Sequence, residues 1–246
     1  MELTVLGRYG PYPAAKGACS GYLVTLGETR LLLDCGAGVL GRLVSFVSLD
    51  NLTGIILSHL HSDHTSDYFV LRYALEVAYL QGRQREPLPV WAPAEPAEEF
   101  ARLDYRGLVS VHEVEEGQAV EIGGIRAVPF AGRHSVPSYG WLLTGGGATL
   151  AYSADTEPFP ELEEKVRGAD LFLCEATYTQ AQLAQGARNH LTAAQAAGVA
   201  RAAGVGRLLL THLSPLQDLD VLLREAGREF PAVALAEEGR TYRVRA

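Results

Sequence analysis

Within six positions, His59-Leu60-His61-Ser62-Asp63-His64 gathers three of the chain's seven histidines and one carboxylate. Imidazole nitrogen and carboxylate oxygen are the ligands that hold zinc and similar divalent ions in open, reactive sites. Two histidines at i and i+2 in a loop can reach one ion, and the adjacent Asp63-His64 pair can reach a second beside it. A solvated polar loop seldom collects three imidazoles so closely. The preceding run, Gly54-Ile55-Ile56-Leu57-Ser58, is apolar and β-branched, so His59 falls where a buried strand ends. From Asp67 to Leu80 the spacing turns helical, with Phe69, Val70, Tyr73, Val77 and Leu80 on one face.

A paired site needs a carboxylate between the ions and a further histidine for each, and three strand ends supply them. His134 follows the apolar run from Ile125 to Phe130. Asp155 closes Thr149-Leu150-Ala151-Tyr152-Ser153-Ala154, and His212 closes Arg207-Leu208-Leu209-Leu210-Thr211. Any one of these alone reads as a residue capping a loop. Together, at the ends of successive strands, they complete the set. His112, within Ser110-Val111-His112-Glu113-Val114, reads as an ordinary strand residue.

The series His59-x-His61-x-Asp63-His64, His134, Asp155, His212 resembles the motifs of the metallo-β-lactamase superfamily. Asp34-Cys35-Gly36 matches that superfamily's early motif, whose Asp sits behind the ligands and orients them. The resemblance runs from Leu3 to about Ser214. It implies two divalent metal ions, zinc first, with manganese or iron accepted by the same ligand types. It places one ion on His59, His61 and His134, the second on Asp63, His64 and His212, and Asp155 between them. It also implies an α/β fold, the four-layer αββα sandwich of two mixed β-sheets flanked by helices, with every ligand on loops at one rim. The fourth motif carries this Asp and lacks the Cys of true β-lactamases. That points to the phosphodiesterase, glyoxalase II and lactonase branches.

Three further segments are similar to the ribonuclease Z group of tRNA 3′-end endonucleases. They are Cys174-Glu175-Ala176-Thr177-Tyr178, the run from Asn189-His190-Leu191-Thr192 to Ala197, and Leu210-Thr211-His212-Leu213-Ser214-Pro215. By that resemblance His190 is the general acid and Glu175 its orienting partner, with Asp63 counted beside them in the catalytic set. The chemistry agrees, because a leaving alkoxide needs a proton and imidazole is the side chain that titrates near neutrality. Read alone, His190 is a surface loop residue ahead of a Thr192 N-cap.

That group also carries a long flexible arm after the third motif. Here Tyr139 to Thr144 is joined to Thr149-Leu150-Ala151 by Gly145-Gly146-Gly147-Ala148, a tight hairpin with no room for one. A net charge of −8 offers little general attraction to a polyanion. The expectation is therefore an armless relative that hydrolyses a small phosphodiester or nucleotide with metal assistance. RNA is the less favoured partner, and hydrolysis of thioesters or lactones is the alternative.

Gly36-Ala37-Gly38-Val39-Leu40-Gly41 fits the dinucleotide-binding glycine pattern. The next strand, however, ends in Ser58-His59 and not in the acidic residue such a site requires. It reads instead as a sharp strand-to-helix turn. Cys19, Cys35 and Cys174 lack metal-type spacing and read as buried thiols in a reducing compartment.

With 246 residues, 48% hydrophobic and 20% charged, the chain suits one soluble domain spanning 1–246. No signal-peptide pattern or membrane span is read, so the expected location is cytoplasmic with no membrane partner; a homodimer is compatible with this reading. Strands are expected near Leu3–Gly7, Gly21–Leu26, Arg30–Asp34, Gly54–Ser58 and Pro89–Ala92, with helices near Val39–Val47 and Asp67–Leu80. A second set follows near Ser110–Val114, Ala119–Phe130, Tyr139–Thr144, Thr149–Ser153, Asp170–Cys174, Arg207–Thr211 and Ala232–Ala236. Its helices lie near Pro160–Arg167, Thr192–Ala203 and Leu219–Phe230.

Overall fold

The computed structural model describes residues 1–83 and 86–245. Its first half opens with strands β1 (Glu2–Gly7), β2 (Gly21–Leu26) and β3 (Thr29–Leu33), then helix α1 (Val39–Leu43) and β4 (Gly54–Ile56). Helix α2 (Ser62–Leu80), β5 (Leu88–Ala92), α3 (Ala97–Ala101) and β6 (Val109–Glu113) follow. The second half repeats the plan with β7 (Val120–Ile122), β8 (Ile125–Ala131), β9 (Tyr139–Gly145) and β10 (Ala148–Tyr152). It continues through α4 (Leu162–Lys165), β11 (Leu171–Glu175), α5 (Gln180–Ala184), α6 (Ala193–Ala203) and β12 (Leu208–Thr211). Helix α7 (Leu219–Glu229), β13 (Val233–Leu235) and β14 (Thr241–Arg243) close the chain.

These form two seven-stranded mixed sheets, ordered β14-β1-β2-β3-β4-β5-β6 and β13-β12-β11-β10-β9-β8-β7. Each has four antiparallel strands, β14-β1-β2-β3 or β7-β8-β9-β10, and becomes parallel at the fifth, β4 or β11, where helices take over the connections. A parallel step needs a crossover, and the helical segments provide it. The period-2 alternation of strands decides the layers. In β3, Leu31 and Leu33 face the second sheet while Leu32 faces α1 and α2. In β12, Leu209 points between the sheets while Leu208 and Leu210 pack on α6 and α7. The result is the expected αββα sandwich.

Several expectations are corrected. Helix α2 begins at Ser62 and not near Asp67, because His61 in extended conformation serves as its N-cap residue and the Thr65 hydroxyl donates to the His61 carbonyl. Asp63 and His64 therefore sit in its first turn. The buried stripe of α2 is His64, Tyr68, Leu71, Leu75 and Ala78, in phase with the site histidine. Of the expected apolar face, Val70, Tyr73, Val77 and Leu80 are exposed. The expected strand Ala119–Phe130 is split by a turn at Gly123-Gly124 into β7 and β8. Helices α3 and α5 and the edge strand β14 are additions to the expected elements.

The glycine-rich turn is a strand-to-helix connection, as expected. A Cβ on Gly36 would lie 1.9 Å from the Asp63 carbonyl oxygen, so only glycine lets the start of α2 approach this close. His112 lies on β6, stacked on Trp91 with ring centroids 5.6 Å apart, away from the ligand cluster.

Candidate metal centre

Strand ends aim the cluster. His59 follows β4, and the Asp34 carboxylate at the end of β3 buttresses it. Asp34 Oδ1 accepts from the Ser58 backbone N–H at 2.7 Å. Its Oδ2 accepts from the Ser58 hydroxyl (2.9 Å), His64 Nδ1 (2.8 Å) and the Tyr152 hydroxyl (2.6 Å). With Nδ1 of His64 so engaged, its Nε2 is the nitrogen left to face the site. The Ser58 hydroxyl, its proton given to Asp34, is free to accept from His59 Nδ1 at 3.1 Å. Asp34 thus stands behind Ser58 and His64, on the side away from the cluster. His134 Nδ1 donates to the Asn189 carbonyl at 3.0 Å. Each of these histidines is oriented through the nitrogen that does not face the cluster, the arrangement that fixes tautomer and aim at metal sites.

All seven expected ligands converge. His59, His61 and His134 form one group whose ligand atoms lie within 4.8 Å of one another, and Asp63, His64 and His212 form a second. His59 Nε2 and His61 Nδ1 are 3.0 Å apart, and His61 Nδ1 and His134 Nε2 3.2 Å. Tetrahedral zinc with bonds of about 2.0–2.1 Å to nitrogen sets its ligand atoms about 3.3 Å apart, so these spacings suit one ion. Asp155 Oδ2 lies 3.7 Å from His59 Nε2, 3.4 Å from His64 Nε2 and 3.1 Å from His212 Nε2, facing both groups at once.

The chemistry of the donor set fits divalent ions. His64 Nε2 and Asp155 Oδ1 are buried without a hydrogen-bond partner, a costly arrangement unless another group engages them. Burial, then the neighbouring imidazoles, hold His59 well below the usual histidine range and lower His61 as well, keeping both in the neutral, ligating form. Burial opposes charge on His64 too, but Asp155, Asp34 and Asp63 outweigh it and drive the imidazole well above its ordinary range. The field that holds a proton there would hold a cation. Burial likewise opposes ionisation of Asp155, and His212 and His64 outweigh it, keeping that carboxyl well below its ordinary range.

His190 and Glu175 stand beside these groups. The Glu175 carboxylate is buried and accepts from the backbone N–H of Thr156 (2.8 Å) and Leu191 (3.1 Å) and from the Thr177 hydroxyl (3.1 Å). His190 Nδ1 donates to its Oε1 at 2.9 Å. The His190 ring stacks on His212, centroids 5.1 Å apart, and meets His134 edge-on at 5.2 Å. It also shares a potential ligand group with Asp155 and His212. A hollow of about 390 Å³ opens beside His134, lined by Gly132 to Pro137, Glu157 and Asn189.

Two residues were missed in the sequence. Gly10 presses against His212, and a Cβ there would lie 2.0 Å from His212 Nε2; the Gly10 N–H donates to the Leu213 carbonyl at 3.2 Å. Thr177 stands in the sequence only as part of a motif, yet its hydroxyl lies 2.9 Å from His212 Nδ1. The Gly-Pro turn that holds Gly10 is visible in the sequence, but its contact with a histidine two hundred residues away is not.

Comparison with known proteins agrees with this geometry. The chain is 33% identical to the probable metallo-hydrolase YhfI of Bacillus subtilis, over 97% of this chain and 98% of that one. The crystal structure of YhfI superposes with a TM-score of 0.92 at 32% identity, covering 98% and 99% of the two chains. A ribonuclease Z of Methanopyrus kandleri is 30% identical, covering 100% of this chain and 98% of its own. Residues 29–213 match the family described as the Beta-lactamase superfamily domain. By fold, by motif order and by these likenesses, the chain belongs to the beta-lactamase superfamily, in its metallo-β-lactamase form.

Proposed function

We propose that the protein is a metal-dependent phosphodiesterase acting on small phosphodiesters or nucleotides. The observation that carries this reading is the His190–Glu175 pair, 2.9 Å apart and beside both ligand groups. His59, His61 and His134 would hold one ion, Asp63, His64 and His212 the other, and Asp155 would face both. Zinc suits this donor set, and manganese or iron suits it too. When bound, such ions supply Lewis acidity at phosphorus and bring the pKa of a water toward neutrality.

The chain's own residues supply the rest. Glu175 holds the Nδ1 proton of His190, which leaves Nε2 to present a proton to the departing oxygen. Asp63 completes the proposed catalytic set from the first turn of α2. The hollow beside His134 is of a size that accommodates a small substrate. Hydrolysis of a thioester or lactone needs no such dedicated donor, which favours phosphodiester chemistry.

A second reading, endoribonuclease, draws on the likeness to the protein named ribonuclease Z. Against it stand the β9–β10 hairpin, which turns through Gly146-Gly147 alone, and the net charge of −8. Both remove affinity for the body of a tRNA. The deciding experiment is a panel on protein loaded with zinc or manganese, covering aryl phosphodiesters, thioesters, lactones and precursor tRNA. Turnover of phosphodiesters with slow or absent tRNA cleavage is expected. Activity confined to thioesters or lactones would overturn the proposal, and efficient cleavage at a tRNA 3′ end would replace it with the second reading.

A further inference from the structure

We infer that Thr177 is a positioning residue whose hydroxyl fixes the tautomer of His212 and thereby the affinity of the second ion. The inference rests on the reading of His212 as a ligand. His212 Nε2 lies 3.2 Å from Asp63 Oδ2 and 3.1 Å from Asp155 Oδ2, so it is the nitrogen that faces the second group. To ligate it must carry no proton, and the ring proton then belongs on Nδ1.

The partner of Nδ1 is the Thr177 hydroxyl at 2.9 Å. A hydroxyl can accept that proton's bond or donate its own, and its other neighbours decide which. Thr177 Oγ1 also lies 3.1 Å from Glu175 Oε2 and 3.0 Å from the His212 carbonyl oxygen. Both are acceptors only. A buried carboxylate outcompetes a neutral imidazole nitrogen for the hydroxyl proton, because the charge-assisted bond is the stronger. With its proton turned toward Glu175, Oγ1 offers His212 a lone pair, and His212 keeps Nδ1–H and a bare Nε2. The bonds then run in one direction, from His212 Nδ1–H to Thr177 Oγ1–H to Glu175 Oε2, while Glu175 Oε1 accepts from His190. One hydroxyl thus ties a ligand of the second ion to the proton-transfer pair.

The side chain is also confined, which is why the hydroxyl and not bulk should matter. Thr177 and His212 are both buried, and the Gly10 backbone packs against the His212 ring. Thr177→Val keeps the shape and removes the hydroxyl. Thr177→Ser and Thr177→Ala form a second pair that again differs by the hydroxyl alone.

Metal-stripped protein is titrated with zinc against a competing chromophoric chelator, with melting temperature recorded for each variant. Wild type should take two ions. Thr177→Val should hold the first unchanged and bind the second about 10–100-fold more weakly, the usual cost of losing a partner behind a ligand. Thr177→Ser should keep most of the wild-type affinity and Thr177→Ala should not, a comparison that stands even if the valine variant fails to fold. The inference is overturned if Val or Ala binds both ions as tightly as wild type, or if Ser binds as weakly as Ala. A wild-type protein that never takes a second ion overturns instead the assignment of His212 as a ligand, and so the two failures are distinct.

Discussion

His190 carries the sharpest prediction. Burial works against its charge, but Glu175 at 2.9 Å and then Asp155 outweigh it and raise the imidazole to about 9. A raised pKa means the proton is held below that value and lost above it, so the donor is loaded throughout the neutral range. Cations in the adjoining groups would pull the value back toward neutrality. The turnover number for substrates with basic leaving groups should therefore fall as pH rises from neutral toward about 9. His190→Ala should lose about 10²–10⁴-fold in turnover and lose that alkaline limb as well. Nitrophenolate esters, whose leaving group scarcely needs a proton, should respond less on both counts. A pH–rate profile of His190→Ala that keeps the limb would place the titrating group elsewhere. The backbone is specialised at the same spots. Asp34, Ala154, Asn189 and His212 all have positive φ, between 51° and 70°, and each is a site residue or the immediate neighbour of one. Non-glycine residues hold this conformation at a cost and concentrate at functional sites.

Helix α6 is the element that anchors His190, the proposed proton donor. Thr192 caps it, accepting from the Gln195 backbone N–H while the Gln195 side chain returns a bond to the Thr192 N–H. His190 hangs two residues ahead, its segment tied to Tyr178 by backbone bonds from Tyr178 N–H to Leu191 and from Ala193 N–H to Tyr178. Thr192→Ala should cost about 1 kcal/mol in urea unfolding. Turnover should fall with it while zinc content stays at the wild-type level; lost metal would show that the cap supports the ligands instead. At this scale much was legible in advance. Strand ends carrying His59, His134, Asp155 and His212 could be placed because short, mostly apolar runs stop there, and α6 and α7 because their boundaries carry local signals. The start and phase of helix α2 are not legible in the sequence because two apolar stripes compete along it. Its phase is set by His64 packing beneath Asp34, a tertiary contact that no window of sequence contains. Edge strand β14 escaped notice for a similar reason, since only its pairing with β1 defines it.

Across the whole molecule, the two sheets and their helices are near copies in order, and the proposed centre lies on the seam between them. Among the described residues, no helix is long and apolar enough to cross a membrane. The first half contributes His59, His61, Asp63 and His64, and the second contributes His134, Asp155 and His212. Each of the two proposed ion sites, His59-His61-His134 and Asp63-His64-His212, mixes the two, so neither half alone completes either of them. Zinc bound only by the assembled chain should raise the melting temperature in a concentration-dependent way. The seam also has a kinetic consequence. Contacts that need both halves in place form late, and late contacts act on the unfolding rate more than on the folding rate. Stopped-flow measurements in urea should therefore show zinc slowing unfolding strongly while leaving refolding nearly unchanged. An equal acceleration of refolding would mean that the ions organise the seam before the sheets close. In the expected case the metal works as a latch set after folding, and a chelator would shorten the lifetime of the native protein without hindering its formation.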